Sequence, residues 1–117
     1  MFVIKEPKDY RFDKIGHKGK IFPMRESTGK TQFVLMEVEK KLENVIRQRE
    51  CDFCYYILEG KGYFEINGMR EECETGNLVI IPSGNKFTFG GKMKMLLNCT
   101  PPWNEVQEET VDLLDIG

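Results

Sequence analysis

Histidine is almost missing from this chain. Its 117 residues include one, His17, so neither a histidine-rich metal centre nor a paired-histidine acid–base site can be assembled within one copy. Four cysteines are present, Cys51, Cys54, Cys73 and Cys99, but only Cys51-x-x-Cys54 forms a close pair. A structural zinc site ordinarily takes two such pairs or added histidines. A βαβ pattern around the pair is also absent, which makes a thioredoxin-type reading weaker still. Apolar runs never approach the ~20 residues of a membrane helix. Lys5, Glu6, Lys8 and Asp9 interrupt the first ten residues, so a secretory apolar segment is excluded there. Charge of one sign is lacking as well. Seventeen Lys and Arg against 19 Asp and Glu leave a net charge of −2, which makes no electrostatic case for nucleic acid or an anionic membrane. These absences predict a cytoplasmic protein with its cysteines held as thiols, no metal or other cofactor, and no nucleic-acid or membrane partner.

What is present reads as strands. Apolar residues make up 40% and charged residues 31% of the chain, an ordinary balance for one globular domain, here residues 1–117. The hydrophobic period is two almost throughout, and strong helical patterns are absent. Lys20 to Arg25 and Thr31 to Glu39 read as early strands about a Glu26–Gly29 turn, and Phe2 to Ile4 as a possible edge strand. Cys54 to Leu58 runs into Glu59-Gly60-Lys61-Gly62, read as a tight turn, and Tyr63 to Ile66 leads to Asn67-Gly68. Asn-Gly between strands is a strong hairpin signal, because a type I′ turn needs positive φ at both positions. Asn77 to Ile81 is a further strand, closed by Pro82-Ser83-Gly84. Lys86 to Phe89 and Met93 to Leu97 read as a pair across Gly90-Gly91. In Lys92-Met93-Lys94-Met95 the lysines belong to water and the methionines to the interior. Residues 101–117 mix acidic and apolar side chains and read as a short helix or an arm. The whole predicts an all-β sandwich or barrel.

Two segments carry a resemblance. Gly76-Asn-Leu-Val-Ile-Ile-Pro82-Ser-Gly84-Asn-Lys-Phe87, within region 76–91, resembles the second conserved motif of the cupin superfamily, with Phe87 where that family places a metal-binding histidine. Phe53-Cys-Tyr-Tyr-Ile-Leu-Glu-Gly60-Lys-Gly62, within region 46–68, is similar to the first-motif hairpin. The resemblance implies a double-stranded β-helix, the cupin or jelly-roll barrel, and a homodimer. The run from Arg49 to Gly60, the Ile81 to Phe89 segment and Pro101-Pro102-Trp103 are also similar to the cupins of ethanolamine utilisation. Metal-binding cupins carry two histidines and a glutamate in the first motif. Counting back from Gly60, those positions fall on Phe53 and on either Ile46 and Gln48 or Arg47 and Arg49. Ile and Phe have no lone pair, Arg is cationic and Gln is a weak ligand for soft divalent metals.

Under the usual facing of this fold, Phe53, Tyr55, Ile57 and Phe87 point into the barrel, joined by Phe89, Met93 and Met95. The expected site is an apolar, aromatic pocket for a small organic molecule, with Gln48 and the Tyr55 hydroxyl as its polar handles. Ile46 and Gln48 alternate with Arg47 and Arg49, so one pair faces in. If the arginines did, an anionic ligand would follow. A metal-independent isomerase, epimerase or lyase acting on a sugar or carboxylate is the alternative, with Tyr55, Tyr63, Asp52 or a cysteine as acid or base. A structural barrel with a filled interior is the third reading.

Overall fold

The computed structural model describes residues 2–14, 16–25, 27–41, 45–102 and 108–111, apart from the side chains of Lys14, Gln48 and 108–111. The described residues contain strands and turns but no helix. The strands are β1 (Phe12–Lys14), β2 (His17–Ile21), β3 (Gln32–Val38), β4 (Val45–Gln48), β5 (Asp52–Ile66), β6 (Met69–Glu74), β7 (Leu78–Ile81), β8 (Lys86–Thr100) and β9 (Glu108–Val111). All pair antiparallel, in the order β1-β2-β3-β8-β4-β9, with β5 joining β8 to β6 and β7. This is the cupin-type double-stranded β-helix. Its spine is the β5–β8 pair, in register from Asp52 opposite Thr100 to Ile66 opposite Phe87.

Glycine explains where the strand reading needs correction. Glu59 to Gly62 is not a turn, and Gly90-Gly91 does not separate two strands. Both lie inside the two 15-residue strands β5 and β8. A bulge between Ile57 and Glu59 bends β5, and Gly60 sits there at φ +89°, where a Cβ would strike the Lys92 carbonyl. Gly62 lies opposite Gly91, so two strands that carry bulky side chains elsewhere cross here with none. Two glycines in three residues thus mark a close crossing, a signal that resembles a turn in one dimension. The strand expected over Lys20 to Arg25 runs instead over His17–Ile21, and residues 22–25 lie outside it. Residues 2–4 are irregular. In the C-terminal region, Glu108–Val111 pairs with β4 as a strand; Trp103 and residues 112–117 lie outside the described residues.

The Asn67-Gly68 hairpin forms as the dipeptide demands, with φ of 51° and 83°. Asn67 also ties this hairpin to the start of β8. Its N–H donates to the Lys86 carbonyl at 2.8 Å, and its Oδ1 accepts from the Lys86 N–H at 3.1 Å. Alternation along β3 and β8 sends Val34, Met36, Val38, Met93, Met95 and Leu97 into one continuous core, while Lys92 stays exposed.

Candidate functional site at the aromatic barrel end

Partners directly opposite one another in antiparallel strands project to the same face. That rule builds the interior row by row. Phe53 faces Cys99, which faces Gln32. The next row joins Tyr55, Leu97, Val34 and Ile21. The one after it joins Ile57, Met95 and Met36. Across the barrel, Phe64 faces Phe89, and Ile66 faces Phe87, which in turn faces Ile46.

Five rings meet in the middle. Tyr55 lies 5.0 Å from Phe64, 5.7 Å from Phe89 and 6.2 Å from both Phe53 and Phe87, centroid to centroid. Phe53 meets Phe87 edge-on at 5.5 Å, and Phe87 and Phe89 stack at 6.4 Å. These are the spacings of aromatic rings in direct contact, and none of the five is more than 4% exposed. No ring-sized molecule fits between them. Tyr55 carries the one hydroxyl among the five rings.

Beside Gln32, at one end of the Gln32–Cys99–Phe53 row, lies a cleft of about 970 Å³ whose lining includes none of the five rings. Ile21 belongs to both, packing against the core and lining the cleft together with Phe22, Pro23, Gln32 and Pro102. The N-terminal segment supplies Val3, Ile4 and Lys5, and the β2–β3 connection supplies Arg25, Ser27 and Thr28. That connection is wound tightly, with the N–H groups of Ser27 and Thr28 both donating to the Met24 carbonyl at 2.9 and 2.8 Å.

The structure places Phe53, Tyr55, Ile57, Phe87, Phe89 and Met95 in this one buried core. Gln48 ends β4 opposite Glu108, and its side chain lies outside the described residues. Ile46 packs on the core opposite Phe87, whereas Arg47 stands opposite Lys86 on the other face and Arg49 is exposed. An inward arginine pair is therefore not the source of any anion site.

The remaining acid–base candidates do not converge on Tyr55. Tyr63 sits on the outer face, its hydroxyl against Gly90 and its ring beneath the Arg70 guanidinium at 3.8 Å. The Asp52 carboxylate accepts the Ser83 N–H at 2.9 Å and so pins the Pro82–Gly84 turn. Cys51 is buried, its thiol 3.1 Å from the Pro101 carbonyl; Cys54 is part-exposed. Cys73 is buried against the Met93 sulfur at 3.6 Å, and burial, with Glu72 adding to it, pushes its thiol pKa up. Among the described residues no group of three or more His, Cys, Asp or Glu is arranged to hold a metal. His17 stands at the β1–β2 hairpin with its ring 5.7 Å from Phe12.

Sequence reasoning missed Gln32, Ile21, Lys5 and Arg25. For Gln32 a signal exists, because it opens the inward alternation Gln32, Val34, Met36, Val38 as its one polar member. Lys5 and Arg25 reach the cleft through irregular segments, where period carries no information.

No protein-family model matches the chain, and a search of curated proteins finds no match. Solved structures do match in fold. A Streptomyces PAC13 variant with uridine superposes at TM-score 0.86 over 96% of this chain and 92% of that one, at 21% identity. Another structure of Pac13, described as a unique nucleoside dehydratase, gives 0.85 at 22% identity over 95% and 91%. Ectoine synthase from P. lautus gives 0.71 at 15% identity over 86% and 80%. The Clostridium difficile EutQ protein gives 0.68 at 19% identity over 85% and 75%. The fold is that of the cupin superfamily.

Proposed function

We propose that this barrel binds a small organic molecule without a metal, held in the cleft beside Gln32, Ile21 and Phe22. The carrying observation is the cleft beside Gln32, with an apolar wall of Ile21, Phe22 and Pro23 and a few polar side chains, the usual composition of a small-molecule site. Pac13, similar over nearly its whole length, has structures with uridine, which makes a nucleoside the first ligand to try. Metal chemistry has little to work with, since the family's ligand positions that can be read here carry Ile46, Phe53 and Phe87.

A lyase reaction is the second reading. A dehydration needs one group to take a proton and another to give one to the departing hydroxyl. Tyr55 is the cluster's one group able to do either, and Pac13 is described as a dehydratase. Both readings meet the same experiment. Uridine at 100 times its dissociation constant stabilises a protein that binds it only when folded by about 2.7 kcal/mol, a plain rise in melting temperature. Tyr55→Phe keeps the ring, so its own stability changes by about 1 kcal/mol, while uridine affinity falls roughly tenfold or more if the hydroxyl is a ligand contact. Turnover of a nucleoside that is lost in Tyr55→Phe without loss of fold favours the lyase. Absence of any shift with nucleosides at millimolar concentration would leave the filled, structural barrel as the better account.

A further inference from the structure

The cleft over the barrel end has an asymmetry of charge. Its described lining residues include two cations, Lys5 and Arg25, and no carboxylate, in a chain where acidic residues outnumber basic ones by two (19 against 17). Neighbouring cations are already matched. Lys20 pairs with Glu6 at 2.9 Å and Lys18 with Glu37 at 3.6 Å. Among the described residues neither Lys5 nor Arg25 takes part in an ion pair. The two come from segments far apart in sequence, one before β1 and one after β2, and they border the same apolar surface of Ile21, Phe22 and Pro23.

A cleft with an apolar wall and cations without carboxylate partners suits a molecule with an apolar body and an anionic end. Arginine presents a planar fork that fits carboxylate or phosphate through two parallel hydrogen bonds, and lysine adds a point charge. Gln32 joins the two regions, lying in one interior row with Phe53 and also lining the cleft.

We infer that the molecule bound in this cleft is an organic anion, its apolar body on the Ile21, Phe22 and Pro23 wall and its carboxylate or phosphate held by Arg25 and Lys5. The inference rests on the small-molecule reading above and adds the charge of the ligand to it. It is independent of Arg47 and Arg49, which lie elsewhere.

Titration calorimetry tests it with three probes on the full chain: uridine, uridine 5′-monophosphate and uridine 5′-carboxylate. A charge-assisted hydrogen bond contributes about 1.5–3 kcal/mol, so at least one anion should bind roughly tenfold or more tighter than uridine. Which one does so distinguishes phosphate from carboxylate. In Lys5→Gln/Arg25→Gln that advantage should shrink to within about threefold, and uridine affinity should hold, because uridine carries no anionic group for the two cations to hold. Equal affinity for uridine and its anions would overturn the inference and leave the parent reading standing. So would an anion preference that survives the double substitution. Failure of all three compounds to bind overturns the inference and the nucleoside form of the parent reading together.

Discussion

Ile46 of β4 stands directly opposite Phe87 of β8, so two positions at which metal-binding cupins can carry histidine hold an aliphatic and an aromatic side chain side by side. Phe87 is 1% exposed and touches Phe53, Tyr55 and Phe89. Its ring is a structural keystone of the barrel end. Truncation to alanine leaves a cavity that the surrounding rings fill poorly, and such changes cost about 3–5 kcal/mol. Urea unfolding of Phe87→Ala should show a loss of that size at unchanged slope. A loss below about 1 kcal/mol would mean that the rings repack, and that the barrel end is softer than its contacts indicate.

Most of the barrel was legible because its signals are local and periodic. The alternation in Lys92-Met93-Lys94-Met95, the Asn67-Gly68 turn and the spacing of Gly76, Pro82 and Gly84 each act within a few residues. The inward set Phe53, Tyr55, Ile57, Phe87, Phe89 and Met95 follows from period two once the fold is known. What was not legible is long-range. Gly60, Gly62, Gly90 and Gly91 read as chain reversals, yet Gly62 and Gly91 face each other across two strands that run straight through. The cleft depends on where the irregular residues 3–5, 22–25 and 27–29 lie beside β2 and β3, which no pattern along the chain encodes. Tyr55 and Tyr63 look equivalent in sequence, but the intervening bulge and the positions of their partners put one in the aromatic core and the other on the outer face.

Tyr10 holds the N-terminal segment against the outer face of β3. Its hydroxyl donates to the Glu37 carboxylate at 2.6 Å, and Lys18 and Lys20 lie over its ring at 4.6 and 4.9 Å. That hydrogen bond, aided by Lys18, lowers the Glu37 pKa below its ordinary 4.5. A carboxylate with a lowered folded pKa contributes stability that is full above its unfolded value and is lost as pH falls through the folded one. The melting temperature should therefore fall between pH 5 and pH 3 partly through Glu37. In Tyr10→Phe that fraction of the acid sensitivity should disappear. Identical acid profiles for the two proteins would show that the contact is not maintained in solution.

The four thiols should separate by reactivity. Cys54 is part-exposed, whereas Cys51, Cys73 and Cys99 are buried. At Cys73 burial and Glu72 both oppose the thiolate, which is the reactive form. A disulfide-exchange reagent at pH 8 should label one cysteine per chain quickly, and Cys54→Ser should abolish that phase. The other three should react only on unfolding. Because the folded Cys73 pKa is raised, this thiol also favours the native state below its unfolded pKa and loses that contribution as pH rises through the folded one. Rapid labelling of two or more thiols in the native protein would contradict this burial order.

β7 is the short strand whose surface asks for a partner. Among the described residues it pairs with β5 alone, and it shows Leu78 and Ile80 outward at 56% and 58% exposure beside Tyr56 at 44%. Natural sheet edges are usually blunted by lysine, proline or inward charge, yet Leu78–Ile81 is apolar throughout. An antiparallel edge is self-complementary about a two-fold axis, so the occupant that fits it best is a second copy of the chain. Light scattering should then find a dimer at micromolar concentration. Ile80→Lys, which places a charge on that face without touching the core, should return a folded monomer. A wild-type protein that is monomeric under these conditions, or an Ile80→Lys variant that still dimerises, rules out β7 as the contact.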